Sequence, residues 1–208
     1  RNINGEVLTV ARALGAAKLD GVIEIAPTFR SLAVYYDPLR RSIGELSQAI
    51  ENLLVRPKTA ILAGRLWRLP VCYDASLAPD LEEVAAATGL STAQVIERHS
   101  AETYHVYMLG FLPGQAYLGD LPAQLALPRR PSPRAKVAAG SVAAAMTMTC
   151  IFPQETPCGW HLIGASPVPL WRIGMDPQPL LQPGDQVRFD PISLCAYRHW
   201  LKIVREDN

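Results

Sequence analysis

Apolar positions recur at two periods along this chain, and the change from one to the other divides it. Within residues 4–14, Val7, Leu8, Ala11 and Leu14 share one face at helical spacing, and Gly15 or Gly21 can end that helix. Val22 to Ala26 alternates as a strand does, and Pro27 stops it. Ser31 to Tyr36 predicts a second strand, closed by the Asp37-Pro38 turn. Ile43, Leu46, Ile50, Leu53 and Leu54 mark an amphipathic helix, and Leu66 to Tyr73 a further strand.

One strand placed before Arg1 turns this order into βαββαβ, the ferredoxin-like split unit. The expectation is that the sequence as given starts just after that first strand. Another segment must then cover the open sheet edge. Two capped helices follow. Asp80-Leu81-Glu82-Glu83 has the D-x-x-E form of a capping box with Gly89 as its stop, and Ser91-Thr92-Ala93-Gln94 is a second box. Its helix carries Val95, Ile96 and His99. Beyond His99 the period shortens. Residues 105–112, 136–145, 148–153, 160–163, 168–173, 186–190 and 195–204 predict short strands separated by Pro and Gly. That density points to a closed β-barrel or a sandwich, and the prolines argue against long helices there.

Composition narrows the classes. The chain has 208 residues, room for one large domain or two small ones, and its hydrophobic share of 49% supports a core. A net charge of +1, with no basic block longer than Arg129-Arg130, lacks the footprint of a nucleic-acid binder. No apolar run reaches the ~18 residues of a membrane span. The chain begins at Arg1 without a signal-peptide pattern, so its true start is expected upstream. Cys72, Cys150, Cys158 and Cys195 form no C-x-x-C pair and are read as free cytosolic thiols rather than zinc ligands.

The candidate chemistry lies between Tyr104 and Asp190. In Gly110 to Gly119, Pro113-Gly114 fits a type II turn, flanked by the hydrogen-bonding tips of Gln115 and Tyr117. This loop either lines a pocket for a small polar substrate or is a structural turn with Tyr117 in the core. Pro128 to Arg134 holds Arg129, Arg130 and Arg134 in a proline-stiffened segment suited to clamping a carboxylate or phosphate. The alternatives are a solvated loop or pairing with Asp120 or Asp185. Ala139-Gly140-Ser141-Val142 can offer amides and the Ser141 hydroxyl to an anion, but it is not a nucleophile elbow, and no P-loop is present. His161 and His105 each follow an aromatic residue. His161 is the stronger proton-transfer candidate, beside a structural reading for both.

These stretches resemble one family, that of allophanate hydrolase subunit 1, the B-type subunit of 5-oxoprolinase and Kip inhibitor. The resemblance runs from S-L-A-V-Y-Y-D-P at Ser31 through L-P-V-C-Y, P-D-L-E-E-V-A and H-S-A-E-T-Y-H-V-Y-M-L-G-F-L-P-G. It continues through P-R-R-P-S-P-R with A-G-S-V to P-G-D-Q-V-R-F-D-P-I. It implies an α+β protein with a ferredoxin-like domain over 1–66 and a cyclophilin-like β-barrel of carboxyltransferase type over 67–208. It also implies two protein partners and a cytoplasmic location. One partner is the C-type protein of 5-oxoprolinase, akin to allophanate hydrolase subunit 2, and the other is an A-type protein.

The activity implied is a share of ATP-dependent 5-oxoprolinase, with ATP and magnesium acting in the assembled complex and the chain inactive alone. Within it, His161, Tyr117 and Gln115 would be catalytic, and Arg130, Arg134, Ser141 and His105 would bind substrate or anion. Two other readings stay open. One is the carboxyltransferase half of a biotin-dependent urea carboxylase; the other is a non-enzymatic inhibitor of a sensor histidine kinase. The chain departs from the family pattern where P-G-F reads Pro113-Gly114-Gln115, and where P-G-G-W reads Pro157-Cys158-Gly159-Trp160. Likewise G-x-Q-T-G-I-Y-P reads Met146-Thr147-Met148-Thr149-Cys150-Ile151-Phe152-Pro153. A side chain where the pattern has Gly adds strain or blocks close approach, and Met148 for Gln removes a donor and an acceptor.

Overall fold

The computed structural model describes residues 1–54, 64–174, 176 and 179–206. The chain divides into two compact units, Arg1–Gly64 and Arg65–Asn208.

The first unit contains helix α1 (Asn2–Ala17), strands β1 (Val22–Pro27) and β2 (Leu32–Tyr36), and helix α2 (Ile43–Leu54). The two strands pair antiparallel as a two-stranded sheet. Leu8 and Leu14 of α1 and Leu46 of α2 are buried, at the expected helical spacing. The buried Asn4 amide donates to the Thr28 carbonyl at 2.9 Å and tethers α1 to the loop after β1. Ser42 and Glu45 bond reciprocally at the start of α2.

The second unit holds β3 (Leu66–Cys72), α3 (Leu81–Thr88), α4 (Thr92–Ala101), β4 (Tyr104–Leu109), β5 (Ala116–Gly119) and a 3₁₀ turn (Ala123–Leu125). After these come β6 (Arg134–Val137), β7 (Ser141–Ala145), β8 (Met148–Ile151), β9 (Thr156–Cys158), β10 (His161–Ala165), β11 (Gln186–Ile192) and α5 (Leu194–Glu206). Seven strands close a barrel in the order β10-β3-β11-β4-β5-β8-β7, while β6 and β9 form a separate ribbon. Strand side chains alternate between two faces. Val71, Tyr104, Val106, Leu118, Val142, Ile151, Ile163 and Phe189 therefore fill the interior.

Three expectations change. Leu66–Cys72, placed last in a βαββαβ unit, is a barrel strand. It pairs parallel with β11 from Leu66 to Cys72, and the buried Asp185 carboxylate fixes its start by accepting from the Arg65 amide and the Trp67 indole, each at 2.9 Å. Residues 195–204, expected as a strand, lie in helix α5. No proline follows Pro191, Ser193 caps the first turn, and Leu194, Tyr197 and Leu201 fall at helical spacing and pack beside Cys72 and Ala165. Residues 168–173 run as a loop, because Pro167 and Pro169 cannot donate to a ladder.

Candidate functional site

The outward residues of β5, β7, β8 and β10 are unusually apolar for a solvent-facing wall. Ala143, Ala145, Cys150 and Leu162 cluster with Val137, Phe152, Cys158 and Trp160, and Tyr117 and Met148 pack against them. This second core is separate from the barrel interior, with Val137 and Cys158 supplied by the β6–β9 ribbon. The predicted site residues gather around it.

The organising group is Asp80. It stands at the N-cap of α3, yet its side chain makes no capping bond, so the expected D-x-x-E box does not form. The carboxylate is 2% exposed and turns to the arginine segment instead. Arg134 donates to it through both terminal nitrogens, at 2.8 and 2.6 Å, and Arg130 adds a third bond at 3.0 Å. The Leu162 amide supplies a fourth at 2.7 Å, while the Asp80 amide donates to the Leu162 carbonyl at 3.0 Å. Burial pushes the Asp80 carboxyl up, but the Arg134 and Leu162 hydrogen bonds and the two guanidinium charges outweigh it and hold the group below its ordinary range. The anion that Arg130 and Arg134 clamp is therefore the chain's own, and neither Asp120 nor Asp185 is that partner.

Glu83, one turn along α3, accepts from Arg130 at 2.5 Å and lies 3.8 Å from His161 Nδ1. His161 is buried, and its Nε2 lies 3.0 Å from the Pro128 carbonyl. A carbonyl only accepts, so Nε2 carries a proton, and in the neutral imidazole Nδ1 keeps a lone pair. That Nδ1 has no hydrogen-bond partner, and neither does Gln115 Oε1. Gln115 is 1% exposed and its side chain reaches the Cys150 thiol. It follows the expected turn, in which its amide donates to Leu112 at 3.0 Å and Gly114 takes φ 76°. Tyr117 meets Trp160 edge-on with ring centroids 6.1 Å apart, and the Arg129 guanidinium lies 6.0 Å from the same ring. Burial raises the Tyr117 phenol above its ordinary range, so it is a hydrogen-bond donor at neutral pH.

The structure thus brings Arg130, Arg134, His161, Gln115 and Tyr117 around one wall. His105 falls elsewhere, on β4, edge-on to Tyr107 at 4.7 Å. Ser141 opens β7 and is buried; its amide donates to the Ala138 carbonyl and that of Gly140 to the Phe152 carbonyl, so both are committed within the chain. Sequence reasoning missed Asp80 and Glu83 as partners of the arginines because their spacing read as a helix start. It also passed over Trp160 and left Arg129 unranked.

Where the family pattern has Gly, Met146 adopts φ 52° at the β7–β8 turn. Cys150 and Cys158 are buried instead among apolar neighbours. Burial raises both thiols, which leaves them protonated and unsuited to nucleophilic attack at neutral pH. Among the described residues, no group of three or more His, Cys, Asp or Glu side chains could hold a metal ion. No helix there is long and apolar enough to cross a membrane.

A closed barrel with this outer wall is the fold of carboxyltransferase-type proteins: residues 1–181 match the family described as carboxyltransferase domain, subdomain C and D. Urea carboxylase of Kluyveromyces lactis shares the fold at 18% identity, with a TM-score of 0.75 over 100% of this chain and 21% of that one. TTHA0988 superimposes with a TM-score of 0.83 at 38% identity, over 92% of this chain. This chain spans 37% of TTHA0988. A Bacillus subtilis (strain 168) protein, named as the B-type subunit of 5-oxoprolinase, is 39% identical over 207 residues, which are 94% of this chain and 86% of that protein. The chain belongs to the family of allophanate hydrolase subunit 1 and the B-type subunit of 5-oxoprolinase.

Proposed function

We propose that this chain is one subunit of an ATP-dependent 5-oxoprolinase and supplies half of a composite site. The observation that carries the reading is the 39% identity with the B. subtilis protein across 94% of the chain. A five-membered lactam resists hydrolysis. Phosphorylation of its amide oxygen by ATP, with ADP leaving, would make the ring carbon electrophilic; water adding there with cleavage of the C–N bond would give an acyl phosphate, and a second water would release phosphate and glutamate.

The outer wall suits the lactam side of that chemistry. Gln115 Oε1 is a buried acceptor with no donor, matched to a lactam N–H. The Tyr117 hydroxyl can donate to the amide oxygen. In its neutral form His161 offers the Nδ1 lone pair of a general base, and its protonated form has the Glu83 carboxylate 3.8 Å away. Arg130 and Arg134 stiffen this wall through Asp80. The residues present do not suit the nucleotide: the amides of Gly140 and Ser141 are committed internally, and among the described residues no cluster of three acids is at hand for magnesium. ATP and its magnesium are accordingly assigned to the A-type and C-type partners, and the chain alone is expected to be inactive.

The test is 5-oxoproline-dependent ATP hydrolysis with glutamate release by this chain co-expressed with its genomic neighbours. Turnover that vanishes when this chain is left out supports the reading. An assembled complex without turnover would overturn it and direct attention to urea carboxylation or kinase binding.

A further inference from the structure

Three arginines sit within Arg129–Arg134, and the structure sorts them by what already holds them. Arg134 has both terminal nitrogens on Asp80, and Arg130 is shared between Asp80 and Glu83. On Arg134 the Asp80 carboxylate occupies the donor edge that a bidentate ligand would need, whereas Arg130 spends Nη1 alone on its two carboxylates. To bind an external carboxylate, Arg134 would have to give up its two bonds to Asp80, which is 2% exposed, and Arg130 is held on two carboxylates at once, with its Nε buried. Arg129 differs. It is exposed, it has no carboxylate partner among the described residues, and its guanidinium is positioned by an aromatic ring, that of Trp160.

An arginine held by a ring is restrained without losing its hydrogen-bonding capacity. The attraction acts on the cationic face, while the N–H donors stay available to a planar anion. Tyr117 leans on the same Trp160 ring and lies close enough for the Arg129 charge to act on its phenol. Cys150 also neighbours Tyr117 and is in turn reached by the Gln115 side chain, whose Oε1 is a buried acceptor with no donor. A cation and a phenol donor thus stand beside one ring, and the orphaned Gln115 Oε1 is buried two residues before Tyr117. A small carboxylate that also carries an amide N–H has complementary groups.

We infer that Arg129, restrained by Trp160 beside Tyr117, binds the carboxylate of the substrate, and that Arg130 and Arg134 are structural. The inference rests on the 5-oxoprolinase reading for the identity of the substrate but not for the existence of the carboxylate subsite.

The experiment uses the co-expressed complex carrying wild-type chain, Arg129→Gln, Arg129→Lys or Trp160→Phe. Two readouts are taken: steady-state kinetics with 5-oxoproline, and tryptophan fluorescence titrated with 5-oxoproline and with 2-pyrrolidinone, the same ring without a carboxylate. The Trp160→Phe complex gives the fluorescence background. Loss of one charge-assisted bidentate contact should raise KM and the 5-oxoproline dissociation constant about 10- to 100-fold in Arg129→Gln, with kcat nearly kept. Arg129→Lys should recover part of that loss, and binding of 2-pyrrolidinone should be the same in wild type and Arg129→Gln. An unchanged KM in Arg129→Gln overturns the subsite while leaving the reaction intact. Arg129-dependent quenching by 5-oxoproline without turnover overturns the reaction and leaves the subsite standing. Neither turnover nor Arg129-dependent quenching overturns both.

Discussion

Asp80 accepts from Arg130, from both terminal nitrogens of Arg134 and from the Leu162 amide while almost fully buried. Asp80→Asn leaves the Arg134 guanidinium without its charge partner and Arg130 with Glu83 alone, and the unfolding free energy at pH 7 is expected to drop by about 3 kcal/mol in urea titrations. The folded carboxyl sits below its ordinary value of 3.8, so its contribution is present above that pH and fades as the pH falls through the depressed folded value. The gap between wild type and Asp80→Asn should therefore narrow below pH 3.8. Met146 makes the opposite case. Its φ of 52° is left-handed at a two-residue hairpin turn, and its side chain is 44% exposed. Met146→Gly should stabilise by about 1 kcal/mol, seen as a higher Tm. At this scale the sequence showed which side chains could act but not their partners. D-x-x-E is as good a helix cap as it is a pair of arginine ligands, and only the approach of Pro128 to Arg134 toward α3 decides between them.

Elements were legible where one local rule sufficed. Ser91 and Gln94 form the capping box their spacing announces, and β4, β7, β8, β10 and β11 fall close to the alternating segments, while β5 and β9 lie in none of them. The rule failed at α5, where short apolar spacing supports either period, and at β3, whose allegiance is set by pairing with a strand more than a hundred residues away. Gly114 shows how one turn is locked from outside. A Cβ there would lie 2.4 Å from the Trp171 Cβ at a φ of 76°, so the loop leading into Gln115 and Tyr117 must move to accept one. Gly114→Ala should cost about 2 kcal/mol or more in chemical denaturation and lower turnover of the assembled complex with it.

The molecule as a whole rests on a barrel whose interior contains one imidazole. His99 is 0% exposed and stacks on Phe189 with ring centroids 4.8 Å apart. The Thr149 hydroxyl donates to the Ala143 carbonyl, so it accepts from His99 Nε2, and Nδ1 accepts from the Tyr73 hydroxyl at 2.7 Å. Burial lowers the His99 pKa from 6.5 to about 3. The unfolded chain binds this proton and the folded chain does not, so stability is full above pH 6.5 and falls as the pH drops from there toward 3. The slope should reach about 1.4 kcal/mol per pH unit, and His99→Gln should flatten it over that window in urea titrations.

With the barrel interior filled by side chains, the outer wall is where we propose that the substrate binds. Kinetics of the co-expressed complex carrying Gln115→Leu decide whether it does. The change removes a buried acceptor that has no hydrogen-bond partner and with it the amide's contact to the Cys150 thiol, so stability should change little and assembly should hold. For 5-oxoproline, kcat/KM should fall about tenfold or more while Tm stays within a few degrees of wild type. An unchanged kcat/KM in an assembled complex would show that the substrate lies elsewhere.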